Sequence, residues 1–436
     1  MKDAIYIPAY SDGLMGVLEK TDEQIQKEYQ PDFNEKKSLR IFNDKKDTYF
    51  SNNYILLSAG TQYKKKNLRK SIKAENAKVF IDSGGYQLAH GTVDPKKYTD
   101  KIALEWSEKN GDIFPILDRP SFTLHLKNDD GTPKSPYKDY QECLDLSVTS
   151  AKYYKENKSE GTTCLNVIQG QTLPQIEKWY KEISKYQLNG WAYGGSKGNL
   201  GRIIPVIQFL IQHDEFARDD CKYFHIFGVT SNESMIYFQY IQMLFNKHNI
   251  DVQLTYDSTS WNRGSVYGSY MLRAKYIVGC GMEAMNWTNK IDYKKMSKHF
   301  KLPCHCPICK DLDNVYGFFN NYEIKDLVAP SQGPGVEIIK FKKFNTNVAF
   351  HNLYLQLEYL DNVTNMLKSG MTDIYEEFFP KRIYNNLLFL DKVFDNPNKD
   401  WSNELNARFL VKQYNKIRKD EIKDNVAGES SLDSFF

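Results

Sequence analysis

One pattern repeats through most of the chain. A short run of β-branched, aromatic and aliphatic residues stops at an acid, an amide or a glycine, and a stretch of helical spacing follows before the next run begins. The runs fall at residues 4–8, 54–58, 78–82, 113–117, 164–168, 191–194, 223–228 and 252–256. Eight strand–helix units in succession predict an α/β fold of the (β/α)8 TIM-barrel type, because parallel strands need crossovers and eight such units close on themselves. The intervening "KYTDKIALEWSE", "LPQIEKWYKEISKY", "IIPVIQFLIQ" and "NESMIYFQYIQMLFNKH" carry apolar residues at helical spacing, and the second has its proline near the start, where helices tolerate it.

In this fold the chemistry sits at the C-terminal ends of the strands. There the sequence puts Asp82, Asp118, Gln169, Gly194, Gly195 and Asp257, which would converge on one mouth. After Asp82 come Ser83, Gly84 and Gly85, so a planar ligand could approach the backbone while the carboxylate meets its edge. The mouth has carboxylates from three strands, an amide from a fourth and the N–H groups of a glycine pair. It lacks a cationic phosphate clamp, a nucleophilic Ser or Cys with its His, and a Walker-type loop, so acyl transfer and nucleotide hydrolysis are without their parts. Substitution at a sugar carbon fits better: one carboxylate attacks the anomeric carbon and a second handles the proton of the leaving group. A carboxylate, an amide and backbone N–H groups also match the edge of a flat base such as guanine.

The 436 residues, 41% hydrophobic, suffice for a large core with an appended domain. A net charge of +3 names no polyanionic partner, so local patches must decide. One such patch is "YKKKNLRKSIK", with Lys64, Lys65, Lys66, Arg69, Lys70 and Lys73; it reads either as a solvated helix face or as a phosphate-holding surface. No long apolar run and no signal-peptide pattern is seen, which predicts a cytoplasmic protein without a membrane span. An odd number of cysteines, seven, with three crowded together, argues against a disulfide framework.

The crowded three are Cys304, Cys306 and Cys309 in "CHCPICKDL". With His351, read as lying at the start of a later helix, they could wrap a tetrahedral Zn²⁺ with no open position, a structural site; three reduced thiols in a loop are the alternative. His305 is a lesser ligand candidate. Cys143, Cys164, Cys221 and Cys280 read as small buried apolar residues, and His90, His125, His213, His225, His248 and His299 as surface or satisfied interior histidines. The expected division is a barrel over 1–290 with a surface insertion at 19–50, a zinc-binding subdomain over 291–365, a helical segment over 366–422 and a disordered tail over 423–436.

The ordered set "DSGGYQ", "LD" at Asp118, "VIQGQ", "AYGGS", "FGV", "YDSTSWNRG", "CHCPIC" and "HNL" resembles the tRNA-guanine transglycosylase superfamily, the queuine and archaeosine tRNA-ribosyltransferases, over about residues 50 to 365. The resemblance implies that Asp257 is the nucleophile that bonds C1′, and that Asp82 is the acid/base with Ser83 beside it. It further implies that Asp118 and Gln169 read the purine edge, that Gly194 and Gly195 form the wall over it, and that Cys304, Cys306, Cys309 and His351 hold zinc. The implied reaction is ping-pong exchange of guanine for a 7-deazaguanine such as preQ0 or preQ1, and a homodimer is compatible with the family. In the tRNA enzymes the nucleophile is followed by a Pro-Thr-Arg sequence that serves anticodon recognition; here the chain continues Ser258, Thr259, Ser260, Trp261, Asn262, Arg263. There is also no room for an archaeosine-type RNA-binding domain. These departures favour the branch that modifies DNA, the 7-deazaguanine DNA transglycosylases, over a divergent tRNA enzyme or a non-catalytic nucleic-acid-binding subunit. On the DNA reading a flipped guanine would stack on Trp261, Tyr86 or Phe122, and the basic run and Arg263 would meet phosphates.

Overall fold

Every expected strand forms. β1 (Ile5–Pro8), β2 (Tyr54–Ser58), β3 (Lys78–Asp82), β4 (Ile113–Pro115), β5 (Thr163–Ile168), β6 (Gly190–Tyr193), β7 (Tyr223–Ile226) and β8 (Gln253–Ser258) make one parallel sheet in the order β1-β8-β7-β6-β5-β4-β3-β2. A parallel bridge from Ala9 to Leu56 joins the two ends, so the sheet is a nearly closed TIM-like barrel. The computed structural model describes residues 2–29, 37–42, 48–196, 198–229, 231–266, 269–271, 284–286, 304, 306–314, 338–370, 375–376 and 378–401. His305, Cys280, His299, the segment at 402–422 and the tail at 423–436 lie outside them.

Each strand is short because its apolar run is short, and the strands are buried apart from end residues such as Lys78: helices cover the outside while side chains fill the inside. Helices Asp100–Asn110, Tyr140–Asn157, Leu173–Ile183, Leu200–Gln212 and Asn232–Lys247 alternate with β4 to β8. Thr99 and Asp139 cap two of them by accepting from the N–H of Ile102 and Glu142. Leu200–Gln212 holds Pro205 inside it, past the first turn, where the missing N–H forgoes one helical hydrogen bond.

Three expectations change. Residues 19–50 are not a surface insertion where described: helix Asp22–Tyr29 buries Ile25 and Tyr29, and Leu39, Ile41, Phe42 and Tyr49 enter the core. Arg40, 1% exposed, ties this region together by donating to Asp22 and to the carbonyls of Leu18 and Lys20. The helix bearing His351 begins well before it, at Ile338, and ends at Lys368; one continuous element thus crosses the expected boundary at 365/366. It lies against the barrel: Asn347 donates to the carbonyl of Tyr29, Asn352 to that of Trp261, and the Tyr6 hydroxyl of β1 donates to Gln356. Among the described residues no helix is long and apolar enough to cross a membrane.

Candidate active site and metal centre

Alternate residues of a strand share a face, so Phe80 and Asp82 of β3 both point into the barrel. Asp82 stands at the lip. Its Oδ2 accepts from Ser58 Oγ of β2 at 3.0 Å and its Oδ1 from the N–H of Gly84 at 3.4 Å. Burial pushes its carboxyl up to about 6, against the pull of the Ser58 hydroxyl and helped by the negative charge of Asp257. The loops after β2 and β3 touch backbone to backbone here: a Cβ on Gly60 would fall 2.6 Å from Cα of Gly84, which itself has φ +86. Only glycine allows both the approach and the left-handed turn.

Behind Asp82 lies a closed polar chain. Ser83 Oγ donates to Asp118 Oδ1 at 3.2 Å and Gln169 Nε2 to Asp118 Oδ2 at 2.7 Å, all three side chains being buried. Burial raises the carboxyl of Asp118, with Gln169 as the main opposing influence. Gly194 leaves room for this chain, since a Cβ there would meet Gln169 Nε2 at 2.5 Å. Gly195, at φ +81, faces the ring of Phe122.

Across the mouth, Asp257 near the end of β8 accepts from the N–H of Gly228 at 2.9 Å through Oδ1. His225 Nε2 lies 3.3 Å from the same oxygen. Its Nδ1 is 2.8 Å from Thr255 Oγ1, and its ring stacks on Phe80 at 4.0 Å. His225, expected only as a surface or satisfied interior histidine, thus lies beside Asp257, and Thr255 and Ser58 join it as residues the sequence does not single out. The available signal was parity: a histidine in an otherwise apolar run, on the inward face of its strand, has nowhere to go but the barrel interior.

The aromatic candidates separate. Tyr86, 41% exposed, stands at the mouth with its ring 6.3 Å from Phe122 and 23° from parallel, and 3.9 Å from His90. Trp261 is 0% exposed, packed edge-on against Tyr10 at 5.0 Å and against Phe350, so it cannot stack on a base; it is a core residue joining the segment after Asp257 to the long helix.

The basic run separates too. Arg69 donates to the carbonyls of Ala74, Glu75 and Ala77 and to Asp112, so it braces the entry to β3 and β4 at the barrel floor, away from the mouth. Lys73 pairs with Asp22 at 2.7 Å and Lys65 with Glu19. Lys64, Lys66, Lys70 and Arg263 are exposed.

Cys304, Cys306, Cys309 and His351 meet as expected, all buried, with one ligand atom from each lying within 4.8 Å of the others. His351 Nδ1 is 3.2 Å from the sulfurs of both Cys306 and Cys309. Tetrahedral coordination at ordinary bond lengths separates donors by roughly 3.5–3.8 Å, so this set fits one metal ion with small adjustment. The N–H groups of Cys306 and Cys309 point at the sulfurs of Cys304 and Cys306 at 3.4 and 3.3 Å, an arrangement that favours thiolates. The cluster can therefore hold a metal ion. Cys143, Cys164 and Cys221 are buried, with thiols raised by desolvation. No protein-family model and no curated protein matches this chain.

Proposed function

We propose that the protein is a base-exchange transglycosylase that replaces guanine in DNA with a 7-deazaguanine such as preQ0 through a glycosyl ester on Asp257. One observation carries the reading: two carboxyl groups at one barrel mouth are held in different ways, Asp82 pushed up to about 6 and able to carry a proton, Asp257 accepting from the Gly228 N–H with His225 Nε2 3.3 Å away. Divergent environments for paired carboxyls are what acid–nucleophile division of labour requires. A free oxygen of Asp257 attacks C1′, the C1′–N9 bond breaks, and protonated Asp82 supplies the proton that the departing guanine takes. The incoming base returns its N9 proton to Asp82, N9 attacks C1′ from the side guanine left, and the ester bond breaks. Two displacements restore the starting stereochemistry, and no nucleoside triphosphate is consumed. Asp118, Gln169 and Ser83 would read the edge of the base, with Gly194 and Gly195 as the wall beside it. Tyr86 and Phe122 would offset the few kcal/mol of unstacking when the base flips out. The Cys304, Cys306, Cys309 and His351 set would hold Zn²⁺; with all four positions filled by protein the metal serves the fold and takes no part in the exchange.

Incubation with DNA and with tRNA, each with labelled guanine or preQ0, tests the reading. Label should enter DNA, and Asp257→Asn should form no covalent adduct. Label in tRNA alone replaces the DNA reading with a divergent tRNA enzyme. Label in neither polymer overturns base exchange and leaves a nucleic-acid-binding subunit.

A further inference from the structure

The interior layers of a parallel barrel are ordinarily filled by branched apolar side chains. Directly beneath Asp257 this barrel instead buries a polar pair, His225 of β7 and Thr255 of β8, both essentially without solvent exposure. The imidazole is clamped between rings, stacked on Phe80 at 4.0 Å and edge-on to Phe227 at 4.6 Å, so its two nitrogens have fixed directions. One faces Thr255 Oγ1 at 2.8 Å; the other is buried 3.3 Å from Asp257 Oδ1, close to it but not aligned as a hydrogen bond, and has no other partner among the described residues.

Burial lowers the proton affinity of this ring, with Asp257 only partly opposing, so the ring carries a single N–H. Where that proton sits follows from the partners. A carboxylate oxygen can only accept, whereas a threonine hydroxyl can donate or accept. With the proton on Nε2, both contacts are favourable: Thr255 donates to Nδ1, and Nε2–H faces Asp257. With the proton on Nδ1, a nitrogen lone pair would face the carboxylate at 3.3 Å in a dry interior.

We infer that His225 is a positioning residue for Asp257: its Nε2–H, oriented by Thr255, joins the Gly228 N–H on Oδ1 and leaves Oδ2 as the oxygen that bonds the sugar. The inference rests on the reading of Asp257 as nucleophile. Its consequence is a division of the carboxylate into a held and a reacting oxygen. Once the ester forms, Oδ1 is its carbonyl oxygen; when the second base arrives and the C1′–Oδ2 bond breaks, charge returns to a carboxylate whose donors are already in place. The pair therefore aims the first displacement and eases departure in the second.

Two measurements on the full chain test this. In protein labelled with ¹⁵N-histidine, the ring-nitrogen shifts should identify His225 as the Nε2–H tautomer, and Thr255→Val should erode that preference. An Nδ1–H tautomer in the unaltered protein overturns the inference whatever the activity. In the exchange assay, His225→Phe should lower kcat by about 10- to 100-fold with KM for the nucleic acid little changed, and should lengthen the lifetime of the covalent adduct. His225→Gln, which restores a donor, should recover most of the rate. Equal losses in the Phe and Gln variants, or a change confined to KM, overturn the inference. An Nε2–H tautomer in a protein that exchanges no base upholds the geometry and overturns the reading of Asp257 instead.

Discussion

Asp82 binds its proton more tightly in the folded protein than in an unfolded chain, and that affinity has a measurable sign. Its carboxyl titrates at about 6 rather than near 3.8, so its contribution to stability is fullest below about pH 4 and is lost as pH rises through 6. The loss amounts to as much as roughly 3 kcal/mol. Asp82→Asn should therefore melt at a higher temperature than the unaltered protein at pH 8, by an amount that vanishes near pH 4, while base exchange disappears. If Asp82 delivers the proton to guanine, the first displacement should slow as pH climbs above about 6, as single-turnover adduct formation would show. At Gly194 an added methyl would meet the movable end of Gln169 rather than backbone. Because that end donates to buried Asp118, Gly194→Ala should raise KM for the incoming base and also lower the melting temperature by a few degrees. The acids, the amide and the glycines of the mouth are legible in the sequence because each ends an apolar run, where position along a strand and position in space coincide. His225 is not legible in that way: its importance comes from Thr255 and Asp257 on the next strand, and pairing across strands leaves no mark on local spacing. Trp261 misleads for a related reason. Its neighbours Asn262 and Arg263 look like surface, yet Asn262 is itself buried and donates to Ser11.

Helix Ile338–Lys368 links the Cys304, Cys306, Cys309 and His351 cluster to the barrel. It supplies His351, and within two turns of that residue it contacts Tyr29, Trp261 and Tyr6. Metal analysis should find about one zinc per chain. Chelation, or Cys306→Ala, should expose this helix and the 260–266 segment to limited proteolysis before β5 to β7 are cut, and activity should fall with that exposure. Substoichiometric metal in active, folded protein would remove the structural role. The Cys304, Cys306, Cys309 and His351 cluster is legible because cysteines at C-x-C-x-x-C spacing so often hold a metal ion. The start of the helix is not, because "IIKFKKFNT" mixes lysine and bulky residues without a clean helical period. A second element-scale test concerns the interlocked loops: Gly60→Ala drives a methyl into backbone at 2.6 Å and should cost about 2–4 kcal/mol in denaturant titration.

For the molecule as a whole, the barrel separates two surfaces that the sequence could not. Arg69 belongs to the floor and Arg263 follows β8 near the mouth, although both read as basic residues available to phosphate. Arg263→Glu should weaken DNA binding and reduce the slope of log affinity against log salt by about one, whereas Lys70→Glu should do neither. The wall itself is uneven. β2 and β3 pair over their full length, from Tyr54 with Lys78 to Ser58 with Asp82. On one side this two-strand panel meets β1 through the single bridge Ala9 to Leu56; on the other it meets β4 through one registered pair, Phe80 and Ile113, backed by hydrogen bonds between Val79 and Asp112. Sparse ladders open at low free-energy cost, so amides along the two seams should exchange with deuterium sooner than those between β6, β7 and β8. The panel carries Ser58 and Asp82; Asp257 stands on β8, beyond β1 on the far side of the Ala9–Leu56 seam. Asp82 and Asp257 are thus mounted on either side of a thin seam in one barrel wall, and their separation depends on how firmly that seam is latched.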